Sequence, residues 1–125
     1  MLNLTEGQIK SATEDYLEYG LNQGAWWFTR LNSGKAFVKR GDKYYAIRLC
    51  EEGTADFMII RARSYFEYCR QVTTPEVIFI EAKSATGRQR PAQKAFQILV
   101  ESQGATYKIV RSFEELQDIL RLEEG

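Results

Sequence analysis

The chain has 125 residues, 44% of them hydrophobic, and its 17 basic side chains balance its 17 acidic ones. This length and composition predict one folded domain over residues 1–125 and exclude a wholly disordered chain. Histidine is absent, which excludes histidine bases and histidine-ligated zinc, so any metal chemistry must use the oxygen ligands that suit Mg²⁺, Mn²⁺ or Ca²⁺.

The sequence contains no segment typical of membrane insertion or of nucleotide binding. No apolar run approaches the ~20 residues that span a bilayer, and the N-terminal residues lack the basic and apolar regions of a secretion signal. There is no phosphate-binding loop and no dinucleotide-binding motif. Cys50 and Cys69 form no metal motif and are interpreted as reduced thiols. We therefore expect a cytoplasmic protein with no membrane partner and no nucleotide cofactor.

The first half of the chain predicts one helix followed by strands. The helix covers residues 5–19, with Thr5 as its N-cap and a buried face at helical spacing. That face comprises Ile9, Ala12, Tyr16 and Tyr19. The predicted strands cover residues 25–31, 35–40, 43–50 and 56–60. A tight turn at Gly41 and Asp42 joins the second and third of these strands.

The second half predicts strands and helices in alternation. Residues 61–75 give the least certain pattern, and a short helix over 64–70 is the interpretation. Pro91 favours the start of a helix and Gly104 its end. The predicted elements are a strand over 77–83, a helix from 91 to about 103, a strand over 106–111 and a helix over 113–122. This order predicts an α/β (α+β) fold in which helices flank a mixed central β-sheet.

Two charged residues stand at the end of the predicted strand over 77–83. Side chains alternate along a strand, so Glu81 and Lys83 point to the same face after the apolar run "VIFI". Asp56 begins an earlier strand, and antiparallel pairing of the two strands would bring it beside Glu81. Two converging carboxylates repel each other unless a proton or a cation lies between them. The structural alternatives are a solvated ion pair for Glu81 and Lys83 and a capping role for Asp56.

A divalent cation is the natural occupant of such a pair of carboxylates. It would polarise a phosphoryl oxygen and acidify a bound water, while Lys83 held that water or stabilised charge on the phosphate. The pattern therefore predicts metal-dependent cleavage of a phosphodiester.

The spacing of these residues resembles the core motif of the PD-(D/E)xK nucleases. Gly53-x-x-Asp56 is followed by Glu81-x-Lys83, and Ala55 stands at the position of the motif's proline. The resemblance implies a restriction-endonuclease-like core in which these acids and this lysine form the active site.

The order of motifs is more specifically similar to the virus-type replication-repair nuclease domain, VRR-NUC. The segment "TEGQI" matches that family's first helix and its glutamate at Glu6, and "WWFTRLNSG" matches a strand and turn. The segment "RPAQKAF" supplies the helical glutamine at Gln93, and "ATYKIVRSFEELQDIL" matches the closing unit. The resemblance covers nearly the whole chain and implies a stand-alone nuclease of a phage, a prophage or a bacterial cell, expected to form a homodimer.

The resemblance also implies a role for each matched residue. Asp56 and Glu81 would bind Mg²⁺ or Mn²⁺, and Lys83 would assist the attacking water. Glu6 would complete the acidic cluster, and Gln93 would orient the lysine, the water or the phosphate. The structural alternatives are an acid that favours the helix dipole for Glu6 and a solvated helical glutamine for Gln93.

A basic loop follows the predicted strand over 77–83. Arg88, Arg90 and Lys94 are free of neighbouring acids, and they are predicted to contact the phosphates of a DNA duplex without reading its sequence. Asn32, in the turn "NSG", is predicted to lie near the substrate groove. The alternatives are an ordinary charged loop and an ordinary turn.

Three functions are compatible with these patterns. The first is a divalent-metal-dependent DNA endonuclease for branched DNA, either Holliday-junction resolvase-like or flap-type. The second is a catalytically inactive nuclease-fold module that binds DNA or a replication or repair protein. The third is an interaction protein that binds no metal. The aromatic residues 26–28 and the segment 61–75 are candidate dimer surfaces, and the sequence does not choose between them.

Overall fold

The structure is a computed structural model that describes residues 3–33 and 35–122. The helices are α1 (Glu6–Asn22), α2 (Pro91–Ser102) and α3 (Phe113–Ile119). The strands are β1 (Trp27–Arg30), β2 (Lys35–Arg40), β3 (Lys43–Arg48), β4 (Phe57–Glu67), β5 (Arg70–Ala82) and β6 (Thr106–Val110). No helix within this described part of the chain is long and apolar enough to cross a membrane.

Four strands form one mixed sheet in the order β1-β4-β5-β6. The β1–β4 and β4–β5 pairs are antiparallel, whereas β5 and β6 run parallel. Ile78 and Ile80 of β5 belong to the same buried cluster as Leu17 of α1 and Leu116 of α3. On the opposite face, Phe96 of α2 and Phe79 of β5 make an edge-to-face contact at 5.1 Å between ring centroids. The predicted mixed sheet with flanking helices is therefore confirmed.

Helix α1 begins where the sequence predicts, because Thr5 forms a reciprocal cap with Gln8. The Thr5 hydroxyl accepts a hydrogen bond from the Gln8 amide, and the Gln8 side chain accepts one from the Thr5 amide. Of the predicted face, Ile9 is buried and Tyr16 packs partly buried against the core, whereas Tyr19 is exposed. The buried residues of α1 are Ile9, Thr13, Leu17 and Gly20.

Thr13 and Gly20 lie on the buried face of α1, although neither has a large apolar side chain. Thr13 is buried because its hydroxyl donates to the carbonyl of Ile9 at 2.7 Å, which removes the cost of hiding a polar group. Gly20 lies under the ring of Trp26, whose indole nitrogen donates to the carbonyl of Leu17 at 2.9 Å. The helix therefore packs through a stripe that hydrophobicity alone does not indicate.

The predicted helix over 64–70 is wrong, because these residues belong to a long hairpin of β4 and β5. The hairpin turns at Tyr68 and Cys69, which have φ angles of 51° and 62°. Two-residue turns of this hand usually contain asparagine or glycine, so the sequence gives no turn signal here. Tyr68 is 96% exposed at the tip of the hairpin.

Two glycines of α1 provide a matched test of this packing. A methyl group at Gly20 would overlap the Trp26 ring, whereas at Gly7 its nearest neighbour is the Thr5 hydroxyl at 4.0 Å. We expect Gly20→Ala to lower the free energy of unfolding by roughly 1–3 kcal/mol because of overpacking. We expect Gly7→Ala to raise it by about 0.5–1 kcal/mol through helix propensity. Urea denaturation followed by circular dichroism measures both, and equal shifts for the two variants would contradict this packing.

Candidate functional site

The candidate site lies at the carboxyl end of β5, beside the start of β4. The antiparallel register pairs Phe57 with Ile80, so the residue before β4, Asp56, lies beside Glu81. A carboxylate oxygen of Asp56, Oδ2, accepts a hydrogen bond from the main-chain amide of Ala82 at 2.8 Å. The predicted antiparallel pairing of these strands is confirmed, and it brings the two carboxylates to the same strand end.

The loop before Asp56 packs against the first turn of α2. Gly53 has a φ angle of +91°, and a side chain there would collide with the main-chain carbonyl of Ala92. Ala55 is fully buried. The Gly53-x-x-Asp56 pattern therefore has a physical cause, since only glycine allows the loop to hold Asp56 close to α2.

Helix α1 brings two further charged residues to Asp56 and to the end of β5. The ammonium group of Lys10 lies 3.1 Å from Oδ1 of Asp56, so each oxygen of this carboxylate has a partner. The carboxylate of Glu6 lies 3.5 Å from the ammonium group of Lys83. Glu6 and Lys10 are four residues apart and therefore share one face of the helix. Lys83 is only 6% exposed, which makes Glu6 its neutralising neighbour.

Glu81 is the most deeply placed acid of the site, with 2% of its surface exposed. Its Oε1 accepts a hydrogen bond of 2.8 Å from the side-chain amide of Gln93. The oxygen of that amide in turn accepts a hydrogen bond from the main-chain amide of Arg90, which precedes α2. Within the described residues, the other carboxylate oxygen of Glu81, Oε2, is buried without a hydrogen-bond partner. Gln93 is 3% exposed, so the solvated glutamine considered as its alternative is excluded.

The surroundings of Glu81 favour its protonated form. Burial, followed by the negative charge of Asp56, raises the pKa of Glu81 from its ordinary value of 4.5 to about 7. The positive charge of Lys83 opposes this rise, and Glu6 adds a smaller contribution in the same direction as Asp56. A proton or a cation near Glu81 would relieve the same repulsion.

Tyr107 is a neighbour of Glu81 that sequence reasoning missed. It pairs with Phe79 in the parallel β5–β6 register and is 4% exposed. Burial, followed by the nearby carboxylate of Glu81, raises the pKa of Tyr107 to about 12. Its hydroxyl accepts a hydrogen bond from Gln89 at 3.2 Å. The signal available in the sequence was alternation along β6, which puts Tyr107 on the face of Glu81 once the strands are known to be parallel.

The predicted DNA-contacting residues lie outside the buried cluster. Arg88, Arg90 and Lys94 have exposed side chains on the loop between β5 and α2 and on the first turns of that helix. None of the three forms an ion pair within residues 3–33 and 35–122. Arg111 fixes the start of this loop by donating to the main-chain carbonyls of Ser84 and Gly87 at 2.7 and 2.6 Å.

Asn32 lies close to the site through the main chain and has an exposed side chain. Its carbonyl accepts a hydrogen bond from the amide of Cys50 at 2.7 Å, and the amide of the neighbouring Leu31 donates to the carbonyl of Asp56 at 2.7 Å. The remaining part of the "NSG" turn includes Gly34, which lies outside the described residues. The predicted groove contact of Asn32 stays a prediction.

Comparison with known proteins adds no assignment to this geometry. The sequence matches no protein-family model, and no curated protein matches it. Among the described residues, no group of three or more acidic or cysteine side chains is arranged to hold a metal ion.

The raised pKa of Glu81 predicts a specific pH dependence of stability. Between about pH 4.5 and pH 7 the folded protein binds a proton that the unfolded chain has released, so stability falls as pH rises through this interval. The variant Glu81→Gln keeps a side-chain oxygen that accepts the hydrogen bond from Gln93, and it removes the negative charge of the carboxylate. In EDTA, we expect this variant to be more stable than the wild type by roughly 1–3 kcal/mol at pH 8 and nearly equal to it at pH 4.5.

Thermal unfolding at a series of pH values measures this difference. Glu101→Gln, a change to an exposed acid of α2, is the matched control and should show no such trend. A Glu81→Gln variant that is less stable than the wild type at pH 8 would contradict the costly burial of this carboxylate.

Proposed function

We propose that the chain is a divalent-metal-dependent endonuclease with a PD-(D/E)xK core of the VRR-NUC kind, acting on branched or flapped DNA. The observation that carries the proposal is the meeting of Asp56, Glu81 and Lys83 at one strand end, with Glu6 and Gln93 against them. These are the residues, and the order in the chain, that the resemblance implies for such a nuclease. The mixed sheet with helices on both faces supports the same core.

The donor set at this strand end fits Mg²⁺ or Mn²⁺. Asp56 and Glu81 offer hard oxygen ligands, and Mg²⁺ commonly uses one or two carboxylates together with water and phosphate oxygens. In the part of the chain that the structure describes, Oε2 of Glu81 is buried without a hydrogen-bond partner, and a bound cation would satisfy it. For Asp56 to bind a cation through Oδ1, the ammonium group of Lys10 must move away from it.

Each residue of the cluster would have its own role in hydrolysis of the phosphodiester. A bound divalent cation supplies charge stabilisation at a phosphoryl oxygen and lowers the pKa of a bound water. Gln93 orients Glu81 through their hydrogen bond of 2.8 Å. Lys83, nearly buried, presents a positive charge and N–H donors to the attacking water or to the phosphate. Glu6 holds that lysine in place through their contact of 3.5 Å.

The exposed basic side chains around the site could bind the phosphates of a DNA backbone. Arg88, Arg90 and Lys94 lie on the loop and helix that also carry Gln93. Their positive charges would bind phosphates on the strand being cut and fix its position without selecting a sequence. A homodimer would place two such sites about a two-fold axis, as the cutting of both strands of a symmetric junction requires.

The second candidate function is a catalytically inactive nuclease fold that binds DNA or a replication or repair protein. One observation favours it, namely that Lys10 and the Ala82 amide occupy both oxygens of Asp56. A permanent ion pair of this kind would neutralise the carboxylate and make a cation unnecessary. The two functions differ in whether a divalent cation displaces Lys10.

The primary test is cleavage of labelled DNAs (single strand, duplex, nick, 5′ flap and four-way junction) with EDTA, Mg²⁺ or Mn²⁺. We expect cutting of a branched substrate with metal and none with EDTA. Glu81→Gln and Asp56→Asn should each lose at least about a hundredfold in rate, while DNA binding persists. The preferred substrate distinguishes a junction-resolving enzyme from a flap nuclease.

Glu101→Gln is the control for this test because it changes an exposed acid outside the cluster, and it should cut at the wild-type rate. Cutting by Glu81→Gln at the wild-type rate would remove Glu81 from the mechanism. No cutting of any substrate by folded protein with either metal would favour the inactive binding module.

Lys10 provides a test that needs no DNA. If a cation binds at Asp56, the ammonium group of Lys10 opposes it, so Lys10→Met should tighten Mn²⁺ binding by about three- to tenfold. Lys94→Met removes an exposed lysine from α2 and should leave the affinity unchanged. Titration followed by Mn²⁺ electron paramagnetic resonance measures both. Weaker Mn²⁺ binding in Lys10→Met than in the control would contradict this account of Asp56.

A further inference from the structure

Strands β2 and β3 form a two-stranded ribbon that stands apart from the main sheet. Within the described residues they pair only with each other, through a turn at Gly41 and Asp42. Phe37 is 71% exposed and Tyr44 is 68% exposed. An isolated hairpin is marginally stable in water, and exposed aromatic side chains of this size are typical of a surface that binds a partner.

The ribbon is strongly basic. Residues 35–48, "KAFVKRGDKYYAIR", contain five lysines or arginines and one acid, whereas the whole chain has a formal net charge of zero. The side chains of Lys39, Arg40 and Lys43 are exposed. Such a surface attracts a polyanion and repels a second copy of itself, because two ribbons in contact would bring like charges together.

One face of the ribbon combines aromatic rings with positive charge. Lys39 is paired directly with Tyr44, and Phe37 lies two residues before Lys39, so all three side chains share a face. The ammonium group of Lys39 lies 5.8 Å from the centre of the Tyr44 ring. Proteins that bind single-stranded nucleic acid combine aromatic rings with positive charge in this way. The nucleobases stack on the rings, and the phosphates contact the lysine side chains.

The base of the ribbon joins the candidate site. The amide of Leu31, ahead of β2, donates to the carbonyl of Asp56, and the amide of Cys50, behind β3, donates to the carbonyl of Asn32. Each strand of the ribbon has six residues, which span about 20 Å. A nucleic-acid strand that reaches Asp56 therefore has a basic and aromatic track of about 20 Å beside it.

We propose that the ribbon binds an unpaired DNA strand next to the candidate site, with nucleobases stacked on Phe37 and Tyr44 and a phosphate paired with Lys39. The inference rests on the proposed function in taking the polymer at Asp56 to be DNA. It specifies the substrate class further, because an unpaired strand beside the cutting site belongs to a flap or to an opened junction and not to an intact duplex.

The test uses a labelled single strand of about 12 thymidines and the Glu81→Gln protein in EDTA, so that binding is read without cleavage. Fluorescence anisotropy gives the affinity over a range of salt concentrations. We expect Phe37→Ala with Tyr44→Ala to weaken binding by at least about tenfold. We expect Lys39→Gln to reduce the salt dependence by about one released counterion.

Two control variants match these changes in chemistry. Tyr68→Ala removes a 96%-exposed ring from the tip of the β4–β5 hairpin, and Lys108→Gln removes an exposed lysine from β6. Both should bind the strand as the unchanged protein does. Circular dichroism verifies folding, and sedimentation verifies that the ribbon variants keep the oligomeric state of the parent protein.

Several outcomes would overturn the inference: wild-type binding by both ribbon variants, equal weakening by the controls, or a changed oligomeric state that assigns the ribbon to a contact between copies. The ribbon and the nuclease can fail separately. If the ribbon binds DNA but the protein cuts none, DNA binding by the ribbon is supported and the proposed nuclease activity is refuted. If the protein cuts DNA with metal and the ribbon variants bind and cut as the wild type does, only the DNA-binding role of the ribbon is refuted.

Discussion

Glu81 carries a carboxylate into the interior at the point where β5, β4 and α2 meet, with 2% of its surface exposed. A buried charge is costly unless neighbours compensate for it. Gln93 donates a hydrogen bond to one carboxylate oxygen, whereas the other oxygen has no hydrogen-bond partner among the described residues, and Asp56 adds repulsion. The fold tolerates this cost at one strand end, and costly groups of this kind are typical of functional sites.

The residues around this carboxylate come from separate parts of the chain and are held by independent contacts. The main-chain amide of Ala82 fixes Asp56, and the close approach of the loop at Gly53 to α2 fixes the start of β4. Helix α1 supplies Lys10 as a cation for Asp56. The geometry thus depends on the packing of α1 and α2 against the sheet, and not on the local sequence around any one acid.

Sequence reasoning predicted the central part of this arrangement because strands obey simple rules. Alternation places Glu81 and Lys83 together, and an antiparallel pair brings the start of one strand to the end of the next, which fixes Asp56. Lys10 and Tyr107 were missed because their roles depend on how α1 and β6 pack against β5. The sequence does not show this packing, although the spacing of Lys10 from the first-turn acid of α1 offers a weak signal.

The larger errors also have physical causes. The extended hairpin of β4 and β5 was missed because its turn uses Tyr68 and Cys69 at positive φ, where sequence rules expect glycine or asparagine. The buried face of α1 was misplaced because Thr13 hides its hydroxyl in a bond to the helix backbone. In both places, tertiary contacts determine what local preference does not.

The proposed hydrolysis depends on a divalent cation that Asp56 and Glu81 hold together. The most direct measurement is anomalous diffraction from crystals soaked with Mn²⁺. We expect an anomalous peak within about 2.2 Å of an oxygen from each carboxylate, with Lys10 displaced from Asp56. A saturating soak that leaves no peak there, with the contact of 3.1 Å between Lys10 and Asp56 intact, would contradict this expectation.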